Sequence, residues 1–573
     1  MVSTFSASFA VFIFANISLK ILAWRKNFKL AETAGFPTFY SPVFITDVWW
    51  MMLSSLFIPL INLLPSKTRL PWLPLSQISN IWKYGYEPFH EAGSDTLFLA
   101  TPTNNMMWTS DPAIIKQLFS LPTVQVPVDM LRFYDIWGPT IGSVEGEEWK
   151  NHRKIVTYGL NPSTLPTVWK ETIHQTNTLI SRWAGDGFVV PVVKSWTSRL
   201  ALHVISSVFF DHPMDWREYS PGEAALEAGY QVSFESAIFT VLRHLGLIFM
   251  VPRAILARLP FRVCKDTFTA FTDLTRYMQD FRAKVLNDIN RISGKLRKNI
   301  LESIVVAGSD HPSHVGSRPL PEGSVLGNIF FSLMAGHETT GSSLAFAMIL
   351  LAIYPEHQKE IQKELDRVLG NRPTEDWNSE SDYQTLNKGY LGAVLKEVLR
   401  NYNVVQFIFR LTVAPTNLID SKGEAHIIPS GTTCLINVAG AMQNPNTWSP
   451  RDITPGRRAQ LHHSQAIDFD PARWLGKGDD SDVYFPFGYG SRQCPGKPFA
   501  QVEMVAFLAT LLKEYTLELI ADDVTLSSCG GNKEVAWQQK QDDAIRQMRD
   551  NVEFNITIQM LKELPIRVVK RST

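Results

Sequence analysis

The stretch Phe485–Gly496, FPFGYGSRQCPG, constrains this chain more than any other, because it sets one cysteine, Cys494, among Gly488, Gly490, Pro495 and Gly496. Glycine lets backbone approach a flat or bulky neighbour with no Cβ in the way, and it tolerates positive φ. Such a loop makes room for a large cofactor. A helix starting near Pro498 and Phe499 would aim closely spaced N–H groups at the sulfur, which stabilises a thiolate and tunes a metal bound to it. A lone cysteine is more often a buried structural thiol, so independent stretches must decide between the two.

The chain has 573 residues, 45% of them hydrophobic, enough to fill a sizeable core. Lys+Arg and Asp+Glu are both 55, giving zero formal charge. Nothing global therefore points to nucleic acid, and any electrostatic partner must meet a local patch. Cys264, Cys434, Cys494 and Cys529 show neither C-x-x-C nor paired metal spacing. A disulfide framework or zinc site is not expected, and a reducing, cytosol-facing compartment fits.

Residues 2–19 carry no charge and are followed by Lys20, Arg25, Lys26 and Lys29. Basic residues after the apolar run, not before it, favour an uncleaved anchor spanning about 5–24 over a signal peptide, with the following chain in the cytosol. A second uncharged run, Val48–Ser66, contains Trp49, Trp50 and Pro59. It reads as interfacial or re-entrant, with packing on the folded body as the alternative. Pro65, Pro71 and Pro74 then make a stiff linker. The organisation expected is a membrane-anchor region over 1–76 and one folded body over 77–573. The glycosylation patterns at Asn16 and Asn555 are expected to go unused.

Beyond residue 77 the pattern is mostly helical, with short apolar strands such as Thr96–Ala100. The long apolar segment Gly323–Tyr354 carries MAGHETTG in its middle. Glycine there costs about 1 kcal/mol against alanine, and threonine bonds back to the preceding turn, so something other than helix stability selected these residues. In EGEEWKNHRKI, Trp149 and Arg153 share one helical face, and in GYLGAVLKEVLR so do Glu397 and Arg400. Each feature alone suits an ordinary helix: a kinked core, a packed Trp with an Arg snorkelling past it, a solvent pair worth roughly 0.3 to 0.5 kcal/mol.

Together they do not. Phe487, Gly490, Arg492, Cys494 and Gly496 form F-x-x-G-x-R-x-C-x-G, which resembles the haem-binding loop of the cytochrome P-450 superfamily, the haem-thiolate monooxygenases. Ala335, Gly336, Glu338, Thr339 and Thr340 match that family's A-G-x-[DE]-T-T, and Phe469–Leu475, FDPARWL, matches the segment after its E-x-x-R helix. The resemblance covers 77–573 and lies with eukaryotic microsomal members, closest in look to fungal biosynthetic ones. It implies a mainly α fold with a minor β region and one haem b whose iron is ligated by Cys494. A thiolate ligand pushes electron density through iron and favours O–O cleavage, while the protein orients substrate and delivers protons.

By the same resemblance, Gly336 leaves room for dioxygen, Thr339 hydrogen-bonds it when activated, and Glu338 relays protons. Trp149, Arg153, Arg410 and Arg492 gather the propionates, and Ala335, Phe487 and Gly496 complete the cofactor cradle. Arg473 joins Glu397 and Arg400 in a buried network behind the cysteine loop. Val404, Val405, Phe407 and Ile408 face substrate, although Asn401–Val405 replaces prolines frequent in the family. Ser233–Leu259 resembles the lid over the substrate channel, and with Pro122–Val144 it reads substrate shape. The region from 522 to 550 reads as an inserted solvated loop, and the tip near Ile558–Leu564 enters the pocket.

No flavin or nicotinamide fingerprint is present, so the implied electron donor is a membrane-bound NADPH-cytochrome P-450 reductase, with cytochrome b5 as a further candidate. Lys150, Lys154, Lys396 and Lys497 are candidates for its docking patch. The implied co-substrates are dioxygen and a hydrophobic small molecule of secondary metabolism, and the implied place is the endoplasmic reticulum membrane facing the cytosol. Two competing readings are a haem-thiolate isomerase or dehydratase working without dioxygen, against which Glu338 and Thr339 argue, and a haem-binding sensor.

Overall fold

The longest apolar stretch of the sequence becomes the axis of the fold. The computed structural model describes residues 18–47, 49–50, 53–54, 56–58, 71–183, 187–216, 229–291, 299–309, 317–448, 469–476, 482–520, 527 and 530–571. Its principal helices are α1 (Gly146–Gly159), α2 (Leu165–Arg182), α3 (Val193–Phe210), α4 (Arg262–Arg291), α5 (Glu322–Ile353), α6 (Pro355–Leu369), α7 (Tyr390–Asn401), α8 (Lys497–Glu514) and α9 (Lys533–Asp550).

Helix α5, 32 residues and about 48 Å long, is buried along most of its length, as a helix apolar on all sides must be. It ends before Pro355, because the residue preceding proline is disfavoured in the helical region. It crosses α3 so closely that a Cβ on Gly341 would lie 2.5 Å from Ser198 Cα. Thr197 Oγ1 donates to Gly341 O at 2.7 Å across this contact. Helix α8 packs on α2 and α5, with Phe499 edge-on to Phe209 of α3 at 5.1 Å.

The β region is minor. Strands β1 (Thr38–Tyr40), β2 (Thr96–Ala100), β3 (Asn105–Thr109), β4 (Val124–Gln125), β6 (Phe407–Thr412) and β9 (Thr433–Asn437) form one sheet in the order β1-β2-β3-β9-β6-β4. Arg410 pairs with Cys434 in the β6–β9 ladder. Smaller sheets join β10 (Tyr515–Leu519), β13 (Ile566–Lys570) and β5 (Phe188–Val190), pair β7 (Thr416–Ile419) with β8 (Ala425–Ile428), and pair β11 (Val552–Phe554) with β12 (Ile558–Met560). The mainly α architecture with a minor β region is the one the family resemblance implies.

Two expectations change. Residues 533–550 are helical, not a solvated loop. Asn532 caps the helix by accepting from the N–H groups of Glu534 and Val535, and a narrow face of Ala536, Gln541, Ala544 and Met548 is buried. Small and polar residues on that face hid its periodicity. The turn of the last hairpin falls at 555–557, ahead of the expected 558–564. The segment 233–259 forms three short helices, Phe234–Arg243, Leu245–Met250 and Arg253–Leu256, with a break at Pro252 and with Phe249, Met250 and Ile255 exposed.

The expected anchor falls largely outside the described residues, and among these no helix is long and apolar enough to cross a membrane. The described part of that region, helical over 18–32, docks on the body: Trp24 Nε1 donates to Ala100 O at 2.6 Å and Asn27 Nδ2 to Thr101 O at 2.8 Å. In the second apolar run Trp50 is buried, its Nε1 donating to Ser76 O at 2.9 Å, while Trp49, Leu56 and Phe57 are exposed. At Trp50, at least, packing on the body prevails over an interfacial position.

Candidate active site

The cysteine loop is held by its own backbone. Gly488 N–H donates to Phe485 O at 3.0 Å, Gln493 N–H to Gly490 O at 3.1 Å and Cys494 N–H to Phe487 O at 2.8 Å. Gly488 and Gly490 sit at φ 72° and 65°, which a side chain would strain. The Cys494 sulfur is accessible although the residue lies deep in the protein. Burial pushes its thiol up, while the N–H groups of Gly496 and Lys497 and the Arg153 charge pull it down. These N–H groups, at the start of α8, are the donors a thiolate needs.

Beside the loop, two guanidinium groups approach the Trp149 ring, Arg492 at 4.0 Å and Arg153 at 5.6 Å from its centre. Arg153 also donates to Gln493 O at 3.0 Å. Arg492 pairs with Glu145 at 2.6 Å. Burial works against the Glu145 carboxylate, yet Arg492 and the N–H groups of Gly146 and Val126 hold its carboxyl below the usual range. Arg410 is buried over the Phe119 ring at 4.7 Å, and burial and the Arg492 charge lower its value to about 10.

Three guanidinium groups against one carboxylate leave two positive charges in excess among the described residues here. Among the described residues the Arg410 guanidinium makes one hydrogen bond, to the neighbouring Phe409 O. Cations that are buried, as Arg410 is, or partly buried, as Arg153 and Arg492 are, favour a dicarboxylate partner in this arrangement. With the accessible sulfur and its N–H donors, this donor set fits a haem with its two propionates. Glu145 is a member the sequence reading missed.

Behind the loop, Glu397 is fully enclosed. Arg400 grips it twice, and Arg473 Nε, Trp474 Nε1 and Asp470 N–H donate to it at 3.1, 2.9 and 3.0 Å. Arg400 Nη1 reaches Met442 O at 3.0 Å. Burial would raise Glu397, but the arginines hold it low. Trp474 stacks obliquely on Tyr484 at 4.7 Å, just ahead of Phe485, which links the network to the cysteine loop. Glu397 and Arg400 meet as their spacing suggested and Arg473 joins them as the resemblance implied, whereas Trp474 and Asp470 carried no separate signal.

In the middle of α5 the partly accessible residues are Phe331, Ser332, Ala335, Gly336 and Thr339, a stripe at helical spacing in an otherwise buried helix. Thr339 Oγ1 bonds back to Ala335 O at 2.8 Å. The space a Cβ would take at Gly336 is filled by Ile205 of α3, 2.0 Å away, so close helix packing is itself a reason for this glycine. Glu338 is buried and paired with Lys194 at 2.5 Å. Lys194 and Thr557, which donates to the same carboxylate, lay outside the motifs. In the wall after α7, Val404 is buried, Val405 is exposed, and Phe407 packs on Phe409 and Phe554.

The family model for cytochrome P-450 matches residues 138–545. A cytochrome P-450 monooxygenase of Arthrobotrys oligospora is 25% identical over 88% of this chain and 90% of its own length. Cytochrome P-450 monooxygenase 124 of Postia placenta is 27% identical over 79% and 83%. The phomenoic acid biosynthesis cluster cytochrome P-450 monooxygenase of Leptosphaeria maculans is 23% identical over 90% and 92%. The crystal structure of the cytochrome P-450DA heme domain superposes with a TM-score of 0.63 at 17% identity, over 85% of this chain and 92% of that one, which establishes a common fold. A cysteine loop, an arginine cluster and a buried Glu/Arg/Arg network set in that fold, with a family model spanning most of it, show that the chain belongs to the cytochrome P-450 family.

Proposed function

We propose that this protein is a haem b monooxygenase that inserts one oxygen atom from dioxygen into a hydrophobic small molecule, by hydroxylation, epoxidation or successive oxidations, in a secondary-metabolite pathway. The observation that carries the reading is the accessible Cys494 sulfur, set among N–H donors beside three arginines and one carboxylate. When bound, the haem supplies the oxidising chemistry. The chain's own part is to hold the sulfur with the N–H groups of Gly496 and Lys497, to neutralise the propionates with Arg153, Arg410 and Arg492, and to present Ala335, Gly336 and Thr339 opposite. Glu338 is the carboxyl group that hands a proton onward toward Thr339.

The aromatic surroundings of Phe331, Phe133 and Tyr134 suit an apolar substrate, and the relative from a biosynthesis cluster supports a biosynthetic setting. Exposed Leu19, Ile21, Leu22, Leu56 and Phe57 support attachment to a membrane, here assigned to the cytosolic face of the endoplasmic reticulum, where an NADPH-dependent reductase supplies electrons. Full-length protein reconstituted with that reductase is expected to convert a substrate only with both NADPH and dioxygen. Its reduced carbon monoxide complex should show the thiolate-type band, and survival of that band in Cys494→His would overturn the assignment. Metabolites missing from a strain lacking the gene would identify the substrate class.

A further inference from the structure

The Glu338 carboxylate sits in a clasp that the motif around it does not by itself require. Its Oε1 accepts from Lys194 Nζ at 2.5 Å and from Thr557 Oγ1 at 2.9 Å. Its Oε2 accepts no hydrogen bond among the described residues. Lys194 stands in the first turn of α3, and Thr557 in the turn of the β11–β12 hairpin. The two anchors are themselves tied down: Lys194 Nζ also donates to Gln559 Oε1 at 2.8 Å, and the Thr557 and Ser342 hydroxyls meet at 2.9 Å.

The Lys194 and Glu338 side chains are only 22% and 11% exposed. An exposed ion pair at this distance would do little, but here both partners are largely withdrawn from water and the pair is cross-braced by neutral hydrogen bonds. A carboxylate with two donors on one oxygen cannot swing freely about its last bond. Its second oxygen is thereby aimed. The same hairpin carries Phe554, which packs on Phe407 of β6 at 5.3 Å, so the element that fixes the acid also touches the wall expected to meet substrate.

We propose that Lys194 is a positioning residue for Glu338, with Thr557 as its second anchor, so that Oε1 is held as a fixed point and Oε2 alone serves the site. The inference rests on the monooxygenase reading for what the carboxylate does, and on geometry for how it is held. It predicts that losing either anchor leaves the cofactor in place but lets reducing equivalents escape as hydrogen peroxide.

The test is a double-mutant cycle on the full-length holoprotein. Lys194→Met, Lys194→Arg, Thr557→Val and Glu338→Gln, and Lys194→Met in the Glu338→Gln background, are each compared with the wild type. One readout is hydrogen peroxide released per NADPH oxidised, with reductase and 7-ethoxycoumarin as probe. The other is the thermal midpoint, which needs no turnover. Lys194→Met and Thr557→Val should raise the peroxide fraction severalfold with the carbon monoxide band intact, and Lys194→Arg should stay within twofold of the wild type. In the Glu338→Gln background Lys194→Met should add nothing to the peroxide fraction and should lower the midpoint less than it does alone.

Wild-type coupling in Lys194→Met, or thermal losses that simply add, would overturn the proposal. If the wild type forms no product dependent on NADPH and dioxygen, the monooxygenase reading fails instead, and the thermal cycle still decides whether Lys194 anchors Glu338.

Discussion

Arg400 lies across Glu397 as a two-toothed fork, Nε to Oε2 at 2.9 Å and Nη2 to Oε1 at 2.8 Å, with both side chains wholly enclosed. The spacing i, i+3 on α7 would yield little at a surface. Here it yields an enclosed charge pair, and losing Arg400 leaves Glu397 with Arg473 as its one guanidinium partner among the described residues. Arg400→Ala is expected to cost about 3 to 5 kcal/mol in urea unfolding and to lower haem retention. Arg400→Lys should recover little of this, because an ammonium cannot reproduce the fork.

The same carboxylate gives a pH dependence with a definite sign. The folded-state value of Glu397 is depressed, so its stabilisation is present above the ordinary carboxylate value, about 4.3, and is lost as pH falls through its lower folded value. Glu145, held low by Arg492, acts in the same direction. Stability measured from pH 7 downward should fall in the acid limb, and that fall should be shallower in Glu397→Gln, although this variant starts less stable.

Arg410 makes a prediction with opposite signs in two states. Its value, lowered to about 10 by burial and by Arg492, means that its charge destabilises the cofactor-free chain at neutral pH. Arg410→Met should therefore raise the thermal midpoint of the cofactor-free protein while speeding haem dissociation severalfold. A parallel change in both measurements would count against a propionate partner.

Two glycines of α5 separate packing from flexibility. At Gly341 an added Cβ meets the backbone of Ser198, which has no means of moving aside, whereas at Gly336 it meets only the tip of Ile205. Gly341→Ala should lower stability by roughly 1 to 3 kcal/mol. Gly336→Ala should lower it less, and the difference is read from paired thermal melts.

Residues whose chemistry depends on local spacing were legible in the chain: Cys494 in its glycine frame, Glu397 with Arg400, Trp149 with Arg153. Arg473 was legible because its segment has a recognisable shape. Lys194, Thr557, Glu145 and Trp474 were not, since each reaches its partner from a distant element and nothing beside it in sequence marks the destination. The helix over 533–550 escaped for another reason. Its buried face is alanine, glutamine and methionine, too weakly apolar to produce a visible stripe, and only Asn532 ahead of Lys533-Glu534 signalled a start. Gln541 of that helix donates to Ile353 O at 2.7 Å, so the segment closes the end of α5.

The clasp on Glu338 also bears on how the molecule assembles. Lys194 is 144 residues from Glu338 and Thr557 is 219 residues from it, while the bond that shapes the cysteine loop joins Cys494 to Phe487 within one turn of chain. Long loops close at higher entropic cost and later than short ones. The sulfur's surroundings can thus take shape early and locally, and the acid is fastened only when three remote segments have met. The backbone around the sulfur is thus the locally formed part of the site, whereas the acid and the arginine cluster alike, with Arg153 lying 340 residues from Gln493, depend on remote contacts.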